Sequence, residues 1–199
     1  MENDREYGPS NTADTLMAAT RRLMLAATTT TVSEQQMLKA AERLDGISSR
    51  LEASRAPRMR RIPFTPDRQS EVRSGAGWRM FPYNALGIPQ LIEISNGEAR
   101  SRLRLSAVHE GPPDMLHGGF GAALLDAVLG VLVMAEVTPA FTAELTLTFH
   151  HPTPIGEVVE VSGKIVELKA RTVVAEGAIS HNGRATLSAR GIFVPASRP

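Results

Sequence analysis

The 199-residue chain is 42% hydrophobic, enough for one good core and too short for two full-sized domains. Its 22 basic and 21 acidic residues leave a formal charge of +1, so no global field favours nucleic acid or an anionic membrane. Cysteine is absent, which excludes disulfides, thiolate metal sites and a cysteine nucleophile. The five histidines, His109, His117, His150, His151 and His181, form no His-x-x-x-His pair, so no metal site is expected.

Glu2, Asp4, Glu6 and Asp14 precede any apolar run, whereas a targeting signal favours basic residues there; the reading is cytoplasmic. Residues 12–27 read as a helix with Asp14 as its cap. A second helix starts at Ser33, which has capping-box spacing to Gln36, and runs to Ala53. Met37, Ala41, Leu44 and Leu51 lie on one stripe, so this helix should pack one face on something. From Ser54 to Ile88 periodicity is lost among prolines and glycines, the composition of a connecting segment. Arg55, Arg58, Arg60 and Arg61 crowd there, a cluster better read as solvated linker than as a phosphate site.

After Pro89 apolar residues alternate with polar ones in Leu91 to Ile94 and Leu103 to Val108, flanking Asn96-Gly97, a type I′ hairpin signal. A long apolar helix follows from Gly118 to Glu136. It is nearly membrane-spanning in length, but Asp126 in its middle and Glu136 near its end favour a buried helix in a soluble protein. Four further strands are expected at Thr142 to Phe149, Val158 to Leu168, Thr172 to Ser180 and Ala185 to Val194, with Asn182-Gly183 as a second hairpin. The predicted division is 1–88 as helical extension and linker, and 89–199 as an α+β domain. In that domain a six-stranded, mainly antiparallel sheet wraps a central helix.

The chemistry concentrates where that helix begins. Gly111-Pro112-Pro113 forces an irregular approach, and Gly118 and Gly119 open the helix with unpaired N–H groups that a ligand carbonyl can approach closely. That arrangement can be an oxyanion hole or simply a tight turn against the sheet. Asp126, an acid in an apolar helix, is either structurally paired or functional. Gly119 and Asp126 are seven residues apart, about 10 Å along a helix, so they cannot both touch one carbonyl. If both serve one site, the carboxylate comes from a second copy whose helix lies antiparallel across a two-fold axis.

The run His117-Gly118-Gly119-Phe120-Gly121-Ala122-Ala123-Leu124-Leu125-Asp126-Ala127 resembles the signature of PaaI-type hotdog acyl-CoA thioesterases, related to 4-hydroxybenzoyl-CoA thioesterases. The strand Thr142-Ala143-Glu144-Leu145-Thr146-Leu147-Thr148-Phe149-His150-His151-Pro152 is similar to their downstream motif. The resemblance covers Leu91 to Val194 and implies a hotdog fold. It implies Asp126 as general base or nucleophile, the Gly119 N–H as oxyanion donor, His117 orienting the thioester, and Thr142 holding water or the carboxylate. Gly118, Phe120, Leu124, Leu125 and Phe149 would admit and line the acyl group. Lys169 and Arg171, in the turn before a late strand, would meet the phosphates of coenzyme A, which is part of the substrate; no separate cofactor is implied. The implied assembly is a homodimer or a dimer of dimers, with the Thr142 strand pairing with its twin. Relatives carry a polar residue six positions before the His, where this chain has Gly111; His109 or Glu110 are the available substitutes. Two rivals remain: an enoyl-CoA hydratase, disfavoured because no Asp and His stand five apart at the helix start, and a non-catalytic acyl-CoA sensor.

Overall fold

A computed structural model of the protein describes residues 12–60 and 62–196. Glu2, Asp4, Glu6 and Arg61, used in the reading above, lie outside the described residues. Two helices come first, α1 (Thr12–Thr29) and α2 (Glu34–Glu52), the latter opened by the Ser33 N–H donating to Gln36 Oε1 at 3.1 Å. Asp14 does not cap α1. It lies inside the first turn, 1% exposed, and pairs with Arg79 at 2.8 Å. Nothing on α2 is buried, and Met37, Leu38, Ile47 and Leu51 are exposed, so its apolar stripe finds no partner among the described residues.

The segment read as a linker holds two further elements, helix α3 (Pro66–Arg73) and strand β1 (Trp78–Met80). Proline obscured them, yet Pro66 sits at the first helical position behind Thr65, whose hydroxyl accepts the Arg68 N–H at 3.2 Å. Val72 and Trp78 from this segment join the core. Strands β2 (Gln90–Ser95) and β3 (Glu98–Arg104) form the expected hairpin, with Asn96 and Gly97 both at positive φ. The second strand was expected at Leu103 to Val108. It begins instead at Glu98, because alternation of Ala99, Ser101 and Leu103 inward against Glu98, Arg100 and Arg102 outward starts directly after the turn. Ala107–His109 form a single 3₁₀ turn.

Helix α4 (Gly118–Glu136) is followed by β4 (Ala140–Phe149), β5 (Val158–Leu168), β6 (Val173–His181) and β7 (Arg184–Pro195), the last two joined through Asn182 and Gly183 at positive φ. The sheet thus has seven strands, ordered β1-β2-β3-β5-β6-β7-β4, and every pairing is antiparallel. It curls around α4, which buries Leu124, Leu125, Val128, Leu129, Leu132 and Val133 against β2 to β7. By length and composition α4 could cross a membrane, but half of that window is buried inside the fold.

The last turn of this helix carries no donor side chain to meet its last carbonyls. Helix α3 supplies them. Arg73 donates to the carbonyls of Ala135 and Glu136, at 2.7 and 3.0 Å, and Gln69 Nε2 to those of Met134 and Ala135, at 2.8 and 3.1 Å. The guanidinium also meets the negative end of the helix dipole. Replacing Arg73 by alanine should therefore lower unfolding free energy by about 1–2 kcal/mol, read from urea denaturation, although the side chain touches no residue from His117 to Asp126.

Candidate active site

Strand β4 positions the first functional pair. Leu145 and Leu147 pack on the core, so odd-numbered residues face the helix in the second half of the strand. A register shift between Thr142 and Glu144 leaves Ala143 unpaired and reverses that phase, so that Ala140 packs inward instead. The bulge thereby turns Thr142 toward α4, where its hydroxyl donates to Asp126 Oδ1 at 2.7 Å. Asp126 has no ion pair among the described residues, and its second carboxylate oxygen is left for another partner.

Asp126 belongs to an α4 stripe with Gly119, Ala123, Ala127 and Gly130, at the i, i+4, i+7, i+8, i+11 spacing of one helix face. None of these five is buried, and a Cβ placed on Gly130 would meet nothing within 4 Å. This is the one side of α4 that its own sheet does not cover. It ends at the sheet margin, because among the described residues β4 pairs only with β7 and no strand lies along its outer edge. Phe141 and Phe149 on that strand are 67% and 62% exposed.

The helix start is arranged differently from the expectation. His117 is the N-cap, and its Nδ1 accepts the Gly119 N–H at 3.0 Å. The Gly119 amide expected to be unpaired is therefore occupied, since His117 in extended conformation folds its ring back over the first turn. The Gly118 N–H carries no hydrogen bond among the described residues. A Cβ at Gly118 would lie 3.0 Å from the Phe149 ring, and one at Gly119 3.1 Å from the His117 ring, so a side chain at either position would require the neighbouring ring to give way slightly.

A cavity of about 510 Å³ opens beside this helix start, reaching His117, Gly119, Phe120, Ala123 and Leu124, with a far wall from Phe81 to Gln90. Phe120 thus lines a cavity as expected, and Leu124 does also. Leu125 lines none of the described cavities: it is fully buried, packed toward Gly177 of β6.

The basic turn falls at the Asp126 end of the sheet. Thr142 pairs with Phe193, Phe193 with Val173, and Val173 with Leu168, so residues 169–172 hang from the same row, two strand spacings or about 10 Å from Thr142 at Val173. Lys169 is paired with Glu167 at 3.1 Å, whereas Arg171 has no ion pair among the described residues. Gly111 contributes no polar side chain. It packs against His117, where a Cβ would come within 2.9 Å of the His117 Cα. Among the described residues, no group of three or more His, Asp or Glu gathers that could hold a metal ion.

His109 and the strap from Phe81 to Ile88 are the site residues the sequence motifs did not mark. The His109 ring meets Phe120 edge-on, 5.1 Å between centroids, and its Nδ1 accepts the Ser106 N–H at 3.1 Å.

A curled antiparallel sheet around one apolar, glycine-led helix with a carboxylate at its middle is the hotdog architecture. A thioesterase superfamily model matches residues 114–188. The solved structure of a thioesterase superfamily protein is 30% identical, covers 93% of this chain and 91% of its own, and superposes with a TM-score of 0.79. A point mutant of the phenylacetic acid degradation protein PaaI from Thermus thermophilus shares the fold, at 24% identity over 56% of this chain and 96% of that one, TM-score 0.51. The acyl-coenzyme A thioesterase THEM4 of Xenopus laevis is 34% identical over 64 residues, 32% of this chain and 29% of that protein's length. The chain belongs to the thioesterase superfamily.

Burial holds the His109 imidazole below the usual histidine range, down to about 4. The unfolded chain protonates this residue near pH 6.5, so between about pH 6.5 and 4 unfolding takes up a proton. The contribution is fully present above that window and is lost as the pH falls through it. His109→Asn keeps an acceptor for the Ser106 N–H and cannot titrate. Its urea midpoint should fall less than that of the unaltered protein between about pH 7 and pH 5; equal falls would show that His109 does not carry the loss.

Proposed function

We propose that this protein hydrolyses acyl-CoA thioesters to free acid and coenzyme A, with Asp126 as the working carboxylate, at a site shared between two copies of the chain. The observation that carries the reading is Asp126 itself: a carboxylate with no counter-ion, oriented by the Thr142 hydroxyl, on the uncovered face of an otherwise buried helix. A structural acid would have a cation against it, and none stands there among the described residues. The relative from Xenopus laevis, described as an acyl-CoA thioesterase, supports the substrate class.

In the reaction Asp126 takes a proton from water as the water oxygen attacks the thioester carbonyl. Amide hydrogens at the start of α4 stabilise the oxyanion: that of Gly118 directly, and that of Gly119 once the His117 ring swings aside. The C–S bond then breaks, the thiolate takes the proton from Asp126, and the acid leaves. Water is the only co-reactant, and coenzyme A enters as part of the substrate, its phosphates met by Arg171 with Lys169 beside it.

Two features support a second copy. The unpaired edge of β4 is long and carries exposed phenylalanines, a surface that stable proteins cover. The small-residue face of α4 admits a close helix. Pairing of two β4 strands about a two-fold axis would set the carboxylate of one copy toward the helix start of the other.

Purified protein should release thiol from acyl-CoA, and Asp126→Asn should lower kcat by about 10²–10⁴-fold. Mixed dimers of Asp126→Asn with Gly119→Val chains should regain activity, because one of their two sites is intact. Failure of such mixtures to exceed the parents would overturn the shared site. Unaltered protein that binds acyl-CoA without releasing thiol would make it a sensor.

A further inference from the structure

A second cavity, of about 420 Å³, lies under α1. Ala18, Met24 and Leu25 of α1 form its roof, and Leu105, Val108 and His109 part of its floor. It shares Leu86, Gly87, Ile88 and Phe120 with the cavity that opens at His117 and Gly119. The two cavities therefore adjoin, with the half-buried Phe120 ring and the strap of residues 86–88 between them. Both are walled mainly by aliphatic and aromatic side chains; the charged residues that line them are Asp14, Arg21 and Arg22 of α1, Arg104 at the end of β3, and Glu110.

The chambers are held together from α1. Arg21 donates to the carbonyls of Phe81 and Asn84, which begin the shared strap, and buried Asp14 pairs with Arg79 just before it. Gly87 fits against the Phe81 ring so closely that a Cβ there would clash at 2.2 Å. Arg21 and Asp14 thus tie the strap to α1, and the roof of the second chamber is α1 itself.

We propose that the acyl chain enters beside His117 and Gly119, passes Phe120, and ends in the chamber roofed by α1, so that α1 makes this enzyme selective for long fatty acyl groups over short or single-ring aromatic ones. The proposal rests on the thioesterase reading for its chemistry. Short acyl groups need only the first chamber. Each methylene carried into the second gains apolar burial, and α1 with Phe120 determines how many can be accommodated.

The test compares kcat/KM for hexadecanoyl-CoA and butanoyl-CoA in the full chain and in Ala18→Phe, which fills the second chamber from its roof. The hexadecanoyl to butanoyl ratio should favour the long chain in the unaltered protein and fall at least about tenfold in Ala18→Phe, the equivalent of two lost methylene burials. Leu25→Trp, on a more exposed position of the same roof, should act in the same direction if Ala18→Phe fails to fold. Calorimetric binding of hexadecanoic acid, lost in the same variants, reads the chamber without the chemistry. If the unaltered protein hydrolyses neither thioester but binds hexadecanoic acid through α1, the thioesterase reading fails and the chamber stands. If it hydrolyses both and neither the ratio nor acid binding changes in the α1 variants, the chamber proposal is overturned.

Discussion

The structure depends on one constraint: α4 has almost no polar side chain with which to face water, so it must be enclosed. Leu124, Leu125, Val128, Leu129, Leu132 and Val133 leave only one narrow stripe that can stay uncovered. Burying a leucine or valine gains about 1.5–3 kcal/mol, so enclosing this helix outweighs any single contact elsewhere. Curling the antiparallel sheet is the means. A Cβ on Gly163, Gly177 or Gly191, on three adjacent strands, would come within 4 Å of Leu129, and its absence lets the sheet close on that side chain. Helix α3 then meets the open carbonyls at one end, and His117 the amide of Gly119 at the other.

Where the enclosure stops, the chemistry begins. The stripe of Gly119, Ala123, Asp126, Ala127 and Gly130 is the part of α4 that one chain cannot cover. It carries the only charged residue in the helix before its last position. A carboxylate buried elsewhere on this helix would need a cation or lose its charge; on the stripe it needs only a hydroxyl to orient it. Thr142 reaches it because the β4 bulge reverses which residues face inward. Removing the bulge would return Thr142 to the outer face while leaving Leu145 and Leu147 in place, so the irregularity in the strand serves the site rather than the core.

Much of this was legible from residue order, and the rest was hidden for identifiable reasons. Strong two-residue periodicity marked β4 to β7 nearly to their ends, and Asn-Gly marked both tight hairpins, because those conformations tolerate few other residues. The boundary of β3 was misplaced because Leu103 and Leu105 are both buried, although the chain leaves the sheet between them. Helix α3 and β1 lay concealed in a proline-rich stretch whose elements are too short for any period to show. The Asp126 and Thr142 pairing was foreshadowed by the motif, but the bulge that creates it leaves no periodic trace. No local pattern marks Asp14 pairing with Arg79, a contact spanning 65 positions.

That last contact changes what the N-terminal helices are. An acid 1% exposed is costly without its guanidinium, and Arg79 stands beside the strap that walls the first cavity. Arg21 holds the same strap at Phe81 and Asn84, so α1 and the strap are joined at both ends of residues 79–84. Helix α2 behaves otherwise. It shares the chain's N-terminal third with α1 but buries nothing, and its apolar stripe faces solvent. The two helices are thus not one appendage with one purpose. Through α1 the N-terminal part of the chain becomes continuous with the cavity at the start of α4, and a residue as remote in sequence as Ala18 comes to share a wall with Phe120.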